Sequence, residues 1–353
     1  MEKNDLVVIK QDKQINYISV LTVISAIAVV ILHTNEFWIF SKENYWMVAN
    51  IIECVFYFAV PIFFMISGIT LIDYRDRYNT KEFIKRRLKK TVIPFICWSI
   101  IGMIYFTFFK SGFSIFELNS TQFFNAITNT KCVGIYWFFL ELFGVYLCMP
   151  LFSAIDKKLR KEVFEYLLIV CLIFNCVLPF FNDLFDMNLV LPITVQVGSG
   201  YLLYIIIGYL LHTTKLDKTS EICIYILGII GLLFHTFGTY NLSMQAGKIV
   251  GTYKGYNNLP CILYSTAVFL AIKNICNKIH NMSFLSIINK IKKYTFPIYL
   301  IHWYVIDLIT NFLKLDVHTI IYRLGMPIIV IPICILITYI IRKIPILKYI
   351  VPQ

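Results

Sequence analysis

Ten separate stretches of this chain are apolar over a length that crosses a lipid bilayer. They lie at roughly 16–38, 47–72, 91–109, 134–154, 163–181, 192–211, 221–240, 258–276, 295–313 and 320–341. A helix needs about 20 apolar residues to span the hydrocarbon. The expected fold is therefore all-α, a polytopic bundle of about ten transmembrane helices. No long linker, low-complexity tract or internal repeat interrupts the runs, so 1–353 reads as one integral-membrane domain. Composition excludes the alternatives. Of the 353 residues 59% are hydrophobic and 15% charged, against about 45–50% and about 25% in soluble domains. The 30 Phe and 23 Tyr are the opposite of a disordered, solvated composition.

The net charge of +12 points to topology and lipid headgroups rather than to nucleic acid, because Lys and Arg fall between the apolar runs. Ten spans put both termini on one side. That side holds 25 of the 32 basic residues, in the N-terminus, the 73–90, 155–162, 212–220 and 277–294 loops with Lys273, and the C-terminus. Positive loops stay in the cytoplasm, so both termini are expected inside, with anionic membrane lipids as partners. The ten Cys are dispersed, mostly within apolar runs and without CxxC or metal-ligand spacing, so neither a disulfide framework nor a metal site is expected. The first apolar stretch is long enough to span, and no cleavable signal peptide is evident.

Ionisable side chains inside spans are costly and are functional candidates by default. His33 lies near the outer end of the first span, with Glu36 one turn beyond. Glu53, Glu141, His235, Asp307 and Arg323 fall at similar outer depth on five other spans, and His302 lies nearer the middle. Taken singly, each reads equally well as an interfacial residue or as part of a pair such as Asp307 with Arg323. As a set they favour a water-accessible cavity open to the outside. Glu53 and Glu141, read as unpaired carboxylates, are expected to be protonated there.

Five segments in order resemble a known family. They are Ile18–Asn35 (ISVLTVISAIAVVILHTN), Pro61–Leu71 (PIFFMISGITL), Phe83–Ile101 (FIKRRLKKTVIPFICWSII), Tyr136–Leu151 (YWFFLELFGVYLCMPL) and Tyr294–His302 (YTFPIYLIH). Together they are similar to the integral-membrane acyltransferases of acyltransferase family 3, which modify glycans at bacterial cell surfaces. The resemblance implies a multi-pass protein of a bacterial plasma membrane. It implies O-acyl transfer from a cytoplasmic acyl-CoA, usually acetyl-CoA as co-substrate, to a hydroxyl of a surface or lipid-linked glycan, with no bound cofactor. His33 matches the family His and is the expected general base, since imidazole suits proton removal near neutral pH. Glu36, Glu53 and Glu141 are candidate orienting or cavity acids. Arg86 and Arg87 are candidates for the acyl-CoA phosphates, or serve topology alone. Ser67, beside Gly68, and His302 are expected to line the cavity, while Trp137 and Tyr146 read mainly as packing. One departure stands out: the family places an Arg eleven residues before this His, about three helical turns or roughly 16 Å away on the same face. Here that position is Thr22, and the acid that often precedes the Arg aligns with Ser19. Two alternatives stay open, a transporter of a small solute or lipid-linked sugar and a catalytically silent family member.

Overall fold

The structure, a computed structural model, describes residues 2–190, 193–279 and 282–352, with side chains from Tyr17 onward. The described residues contain no strand, and nine of their helices are long and apolar enough to cross a membrane. With one shorter helix they form ten elements: α1 (Glu2–Thr34, apolar over Tyr17–Thr34), α2 (Asn44–Asp76), α3 (Thr80–Phe109), α4 (Gly134–Ala154), α5 (Lys157–Phe185), α6 (Tyr201–Thr213), α7 (Lys218–Ala246), α8 (Leu259–Lys278), α9 (Thr295–Leu313) and α10 (Ile320–Lys343). Short helices at Ser120–Thr128 and Met282–Lys292 lie between spans. The protein is an all-α polytopic membrane protein.

One span differs from its expected bounds. Position 192, where it was to begin, lies outside the described residues, and 193–200 is not helical. Gly198 and Gly200 adopt positive φ (82° and 60°), which turns the chain, and α6 starts only after them. Thirteen residues span just about 20 Å, less than the hydrocarbon thickness. Nine of the thirteen are nevertheless buried, because neighbouring helices rather than lipid surround this helix. An apolar run by itself does not separate such an extended approach from the helix it leads into.

Contacts at the two ends of the bundle fix the alternating direction of the helices. At one end Thr34, closing α1, donates to the Arg323 carbonyl at the start of α10 (2.8 Å). At the other, Lys292 reaches Ser19 near the start of the apolar part of α1 (3.2 Å), and Arg342, near the end of α10, reaches the Lys293 carbonyl (2.9 Å). This second end gathers most of the basic residues, which assigns it to the cytoplasm. There Asp73 and Asp76 at the end of α2 pair with Arg160 and Lys157 of α5, and Lys273 donates to the Leu211 carbonyl of α6.

The tightest helix contact joins α2 to α6. A Cβ on Gly68 would run into the Ile205 carbonyl oxygen, and one on Gly208 into the Met65 carbonyl oxygen. The backbones therefore touch directly, as small residues allow where there is no water to drive association. Ala at Gly68 or Gly208 should cost about 1–3 kcal/mol through overpacking. Gly144→Ala, with nothing within 4 Å of the new Cβ, should cost nothing. Thermal unfolding of the three detergent-solubilised variants checks this.

Candidate active site

A cavity of about 340 Å³ lies in the outer half of the bundle. α1 contributes Val29, Leu32 and His33, α2 contributes Glu53, Tyr57 and Val60, and α4 contributes Ile135, Trp137 and Phe138. Tyr201, Tyr256, Tyr299 and Trp38 complete the wall. The size suits a small ligand, and a mostly apolar wall with a few placed polar groups is the usual build of such sites. His33 is half-buried on this wall. Its ring faces that of fully buried His302 across α1 and α9, with centroids 5.1 Å apart and planes at 40°. The structure thus joins two histidines that the sequence holds far apart.

Glu53 is held by a network at the cavity's outer edge. Its carboxylate accepts from Lys254 (3.1 Å) and from Asn35 (3.3 Å). Asn35 also donates to the Ala49 carbonyl (2.7 Å) and accepts from Arg323 (3.4 Å). The Lys254 and Glu53 side chains are only 2% and 5% exposed. The Lys254 ammonium sits over the Tyr57 ring, 3.8 Å from its centroid, where the ring's negative face offsets part of the lost hydration. Tyr57 in turn stacks on Tyr256 at 4.2 Å. The expectation of an unpaired Glu53 is corrected: Lys254, from the α7–α8 loop, pairs with it. Asp307 and Arg323 do not pair either. Asp307 binds Lys110 (2.7 Å) and the Tyr105 hydroxyl (2.6 Å), residues of α3 and its C-terminal edge.

A wide turn in α7 supports the same corner. At Phe234–Gly238 the helix loosens into a π turn, freeing carbonyls that α2 satisfies. Asn50 donates to the Thr236 carbonyl (2.9 Å), and Cys54 to that of His235 (3.5 Å). His235 itself is fully buried, with its ring 5.0 Å from that of Tyr57.

The other candidates are placed elsewhere. Glu36 takes a left-handed backbone (φ 51°) just past the end of α1 and is not brought to His33. Burial pushes its carboxyl up from the ordinary value, with Arg323 and His318 pulling it back. Glu141 is exposed and does not line the cavity, so the reading of it as a cavity acid is corrected as well. Ser67 donates to the Phe63 carbonyl one turn back (2.9 Å) and is absent from the wall. Arg86 pairs with Glu82 (2.8 Å) and lies over the Tyr78 ring, while Arg87 lies between the Phe83 and Tyr146 rings. Both arginines sit in the cytoplasmic lead of α3, away from the cavity.

Thr22 lines a second chamber of about 200 Å³ that shares Val29, Val60, Phe138 and Tyr299 with the first. Its hydroxyl is turned back to the Ile18 carbonyl (2.7 Å). Positions 22 and 33 therefore line adjoining hollows, and the inner one carries no cation among the described residues. Lys292, bonded to Ser19 one turn closer to the cytoplasm, brings a charge near that level, and burial pushes its ammonium down from the ordinary value. Sequence reasoning missed Lys254, Asn35 and the tyrosines of the wall. Tyrosine within an apolar run carries no mark of facing a cavity, and Lys254 lies in an unremarkable polar loop.

Removing one partner of a buried ion pair costs about 3–5 kcal/mol, because the other charge is stranded. Glu53→Gln and Lys254→Met should each lower thermal stability on that scale. The double variant should be less damaged than the sum of the singles, as read from a double-mutant cycle on the detergent-solubilised protein.

The chain matches the family model of an acyltransferase domain, Acyl_transf_3, over residues 15–341. No curated protein and no solved structure shows a significant match. The matched region takes in the apolar part of α1, all of α2 to α9, nearly all of α10, and both chambers. The chain belongs to acyltransferase family 3.

Proposed function

We propose that this protein transfers an acyl group, acetyl in the first instance, from cytoplasmic acyl-CoA to a hydroxyl of a surface or lipid-linked glycan at a bacterial plasma membrane. The observation that carries this reading is His33. It is a half-buried imidazole on the wall of a cavity of small-molecule size, in a chain of an acyltransferase family. A sugar hydroxyl in the cavity would lose its proton to His33 as its oxygen attacks the thioester carbonyl. The resulting oxyanion collapses with cleavage of the C–S bond, and the CoA thiolate recovers the proton from His33. The Trp137 indole and Tyr201 hydroxyl lie on the same wall and supply donors for the developing charge. The aromatic wall also suits stacking against the apolar face of a sugar.

The division of charge supports the direction of transfer. Arg86, Arg87 and their basic neighbours stand at the cytoplasmic end, where CoA phosphates would bind bidentately to guanidinium groups. The inner chamber at Thr22 lies between that end and His33, and is the path by which a thioester would approach. Acyl-CoA acts as a co-substrate, with no resident cofactor in the scheme.

The test compares the glycan esters of a deletion strain with strains complemented by wild type or by His33→Ala at equal membrane abundance. Loss of the general base should lower transfer by about 10²–10⁴-fold. Base-labile acyl groups, counted by mass spectrometry, should vanish on deletion and return only with wild type. Unchanged esters in the deletion strain would overturn acyl transfer and favour a transporter or a silent member. The double change Arg86→Gln with Arg87→Gln should raise KM for acyl-CoA several-fold at nearly constant kcat, measured in membrane vesicles.

A further inference from the structure

His302 has chemistry that the scheme above does not use. Its Nδ1 lies 2.9 Å from the Ile298 carbonyl oxygen. A carbonyl only accepts, so Nδ1 carries the hydrogen and Nε2 is left as a lone pair. That lone pair is buried and has no hydrogen-bond partner among the described residues, a state that interiors rarely tolerate without a purpose.

The tyrosine hydroxyl and the acids nearest this corner are occupied. The Tyr299 ring lies 5.9 Å from that of His302, but its hydroxyl donates to the Ile135 carbonyl. Glu53 is held by Lys254 and Asn35, and Glu36 lies toward Arg323 and His318. What remains is His33, whose ring faces that of His302 at 5.1 Å. A hydrogen bond between the two rings requires a side-chain rotation, and catalytic bonds often tighten only once substrate is bound.

We infer that His302 is the positioning residue of His33: its Nε2 accepts the N–H of His33 and so turns the other nitrogen of His33, unprotonated, toward the cavity. The inference rests on His33 being the base. In serine hydrolases a carboxylate does this job and also stabilises the imidazolium by charge. Here a neutral imidazole fixes tautomer and orientation without adding a charge to the bundle interior. His302 touches no reacting atom and acts through His33 alone.

The test uses membrane vesicles with their endogenous glycan acceptor and radiolabelled acetyl-CoA. The readouts are base-labile label in the glycan, KM for acetyl-CoA, and membrane abundance. His302→Phe and His302→Leu remove the acceptor while keeping an apolar side chain. They should lower kcat about 100-fold with KM changed less than threefold. His302→Gln places an amide oxygen near the Nε2 position and should recover activity to within about tenfold of wild type.

Equal loss in His302→Gln and His302→Leu would overturn the inference, since the acceptor would then not matter. So would full activity in either apolar variant. His33→Ala separates the two levels of the argument. If it is dead while His302→Leu is intact, the base assignment stands and the positioning role falls. If it is fully active, or if wild type transfers no label, the reading of His33 falls and the role of His302 falls with it.

Discussion

Within hydrocarbon a polar atom has no water to fall back on, and most of this structure follows from that constraint. Backbone groups are satisfied by helices throughout the bundle, and where a helix loosens another side chain takes over. Asn50 and Cys54 serve the carbonyls released by the π turn of α7. Charged side chains obey the same rule in pairs, Glu53 with Lys254 and Asp307 with Lys110. Exceptions among the described residues include Nε2 of His302, both ring nitrogens of His235, and Nε and Nη2 of Arg323.

The ion pair at the outer edge also shapes the cavity. Lys254 comes from the loop that follows α7, and its burial over Tyr57 pins that loop against α2. Tyr256, two residues on, is thereby stacked into the wall. The same loop is also tied by the Tyr204 hydroxyl, which donates to the Tyr256 carbonyl, and by Tyr253 against Phe180 and Phe234. At the opposite end Arg160 is buried beside Asp73, while pairs such as Arg86 with Glu82 are exposed and worth little to stability.

The legible part of the site was what a linear pattern can carry. A His at the end of the first span, and its family match, singled out His33 from the string alone. The spacing of Thr22 and His33 on one helical face also holds, since both look into adjoining hollows. Acids fared worse. Glu36, Glu53 and Glu141 all read alike as carboxylates near span ends, yet one is left to Arg323 and His318, one is paired at the cavity and one is exposed. Depth along a helix is visible in sequence, whereas the direction around it depends on neighbours that are remote in the chain.

The sequence by itself determined the all-helical class, the place of nine membrane-length helices and the sorting of basic residues to one end. These follow from the length of apolar runs and the charge of loops, which are local properties. Tertiary structure alone decided that α6 is short and enclosed, that Gly68 and Gly208 bring two backbones into contact, and that Lys254 pairs with Glu53. It also decided that His302 stands against His33. Each of these is a meeting of residues from different helices, and a pattern read along one helix holds no information about which neighbour its face will meet.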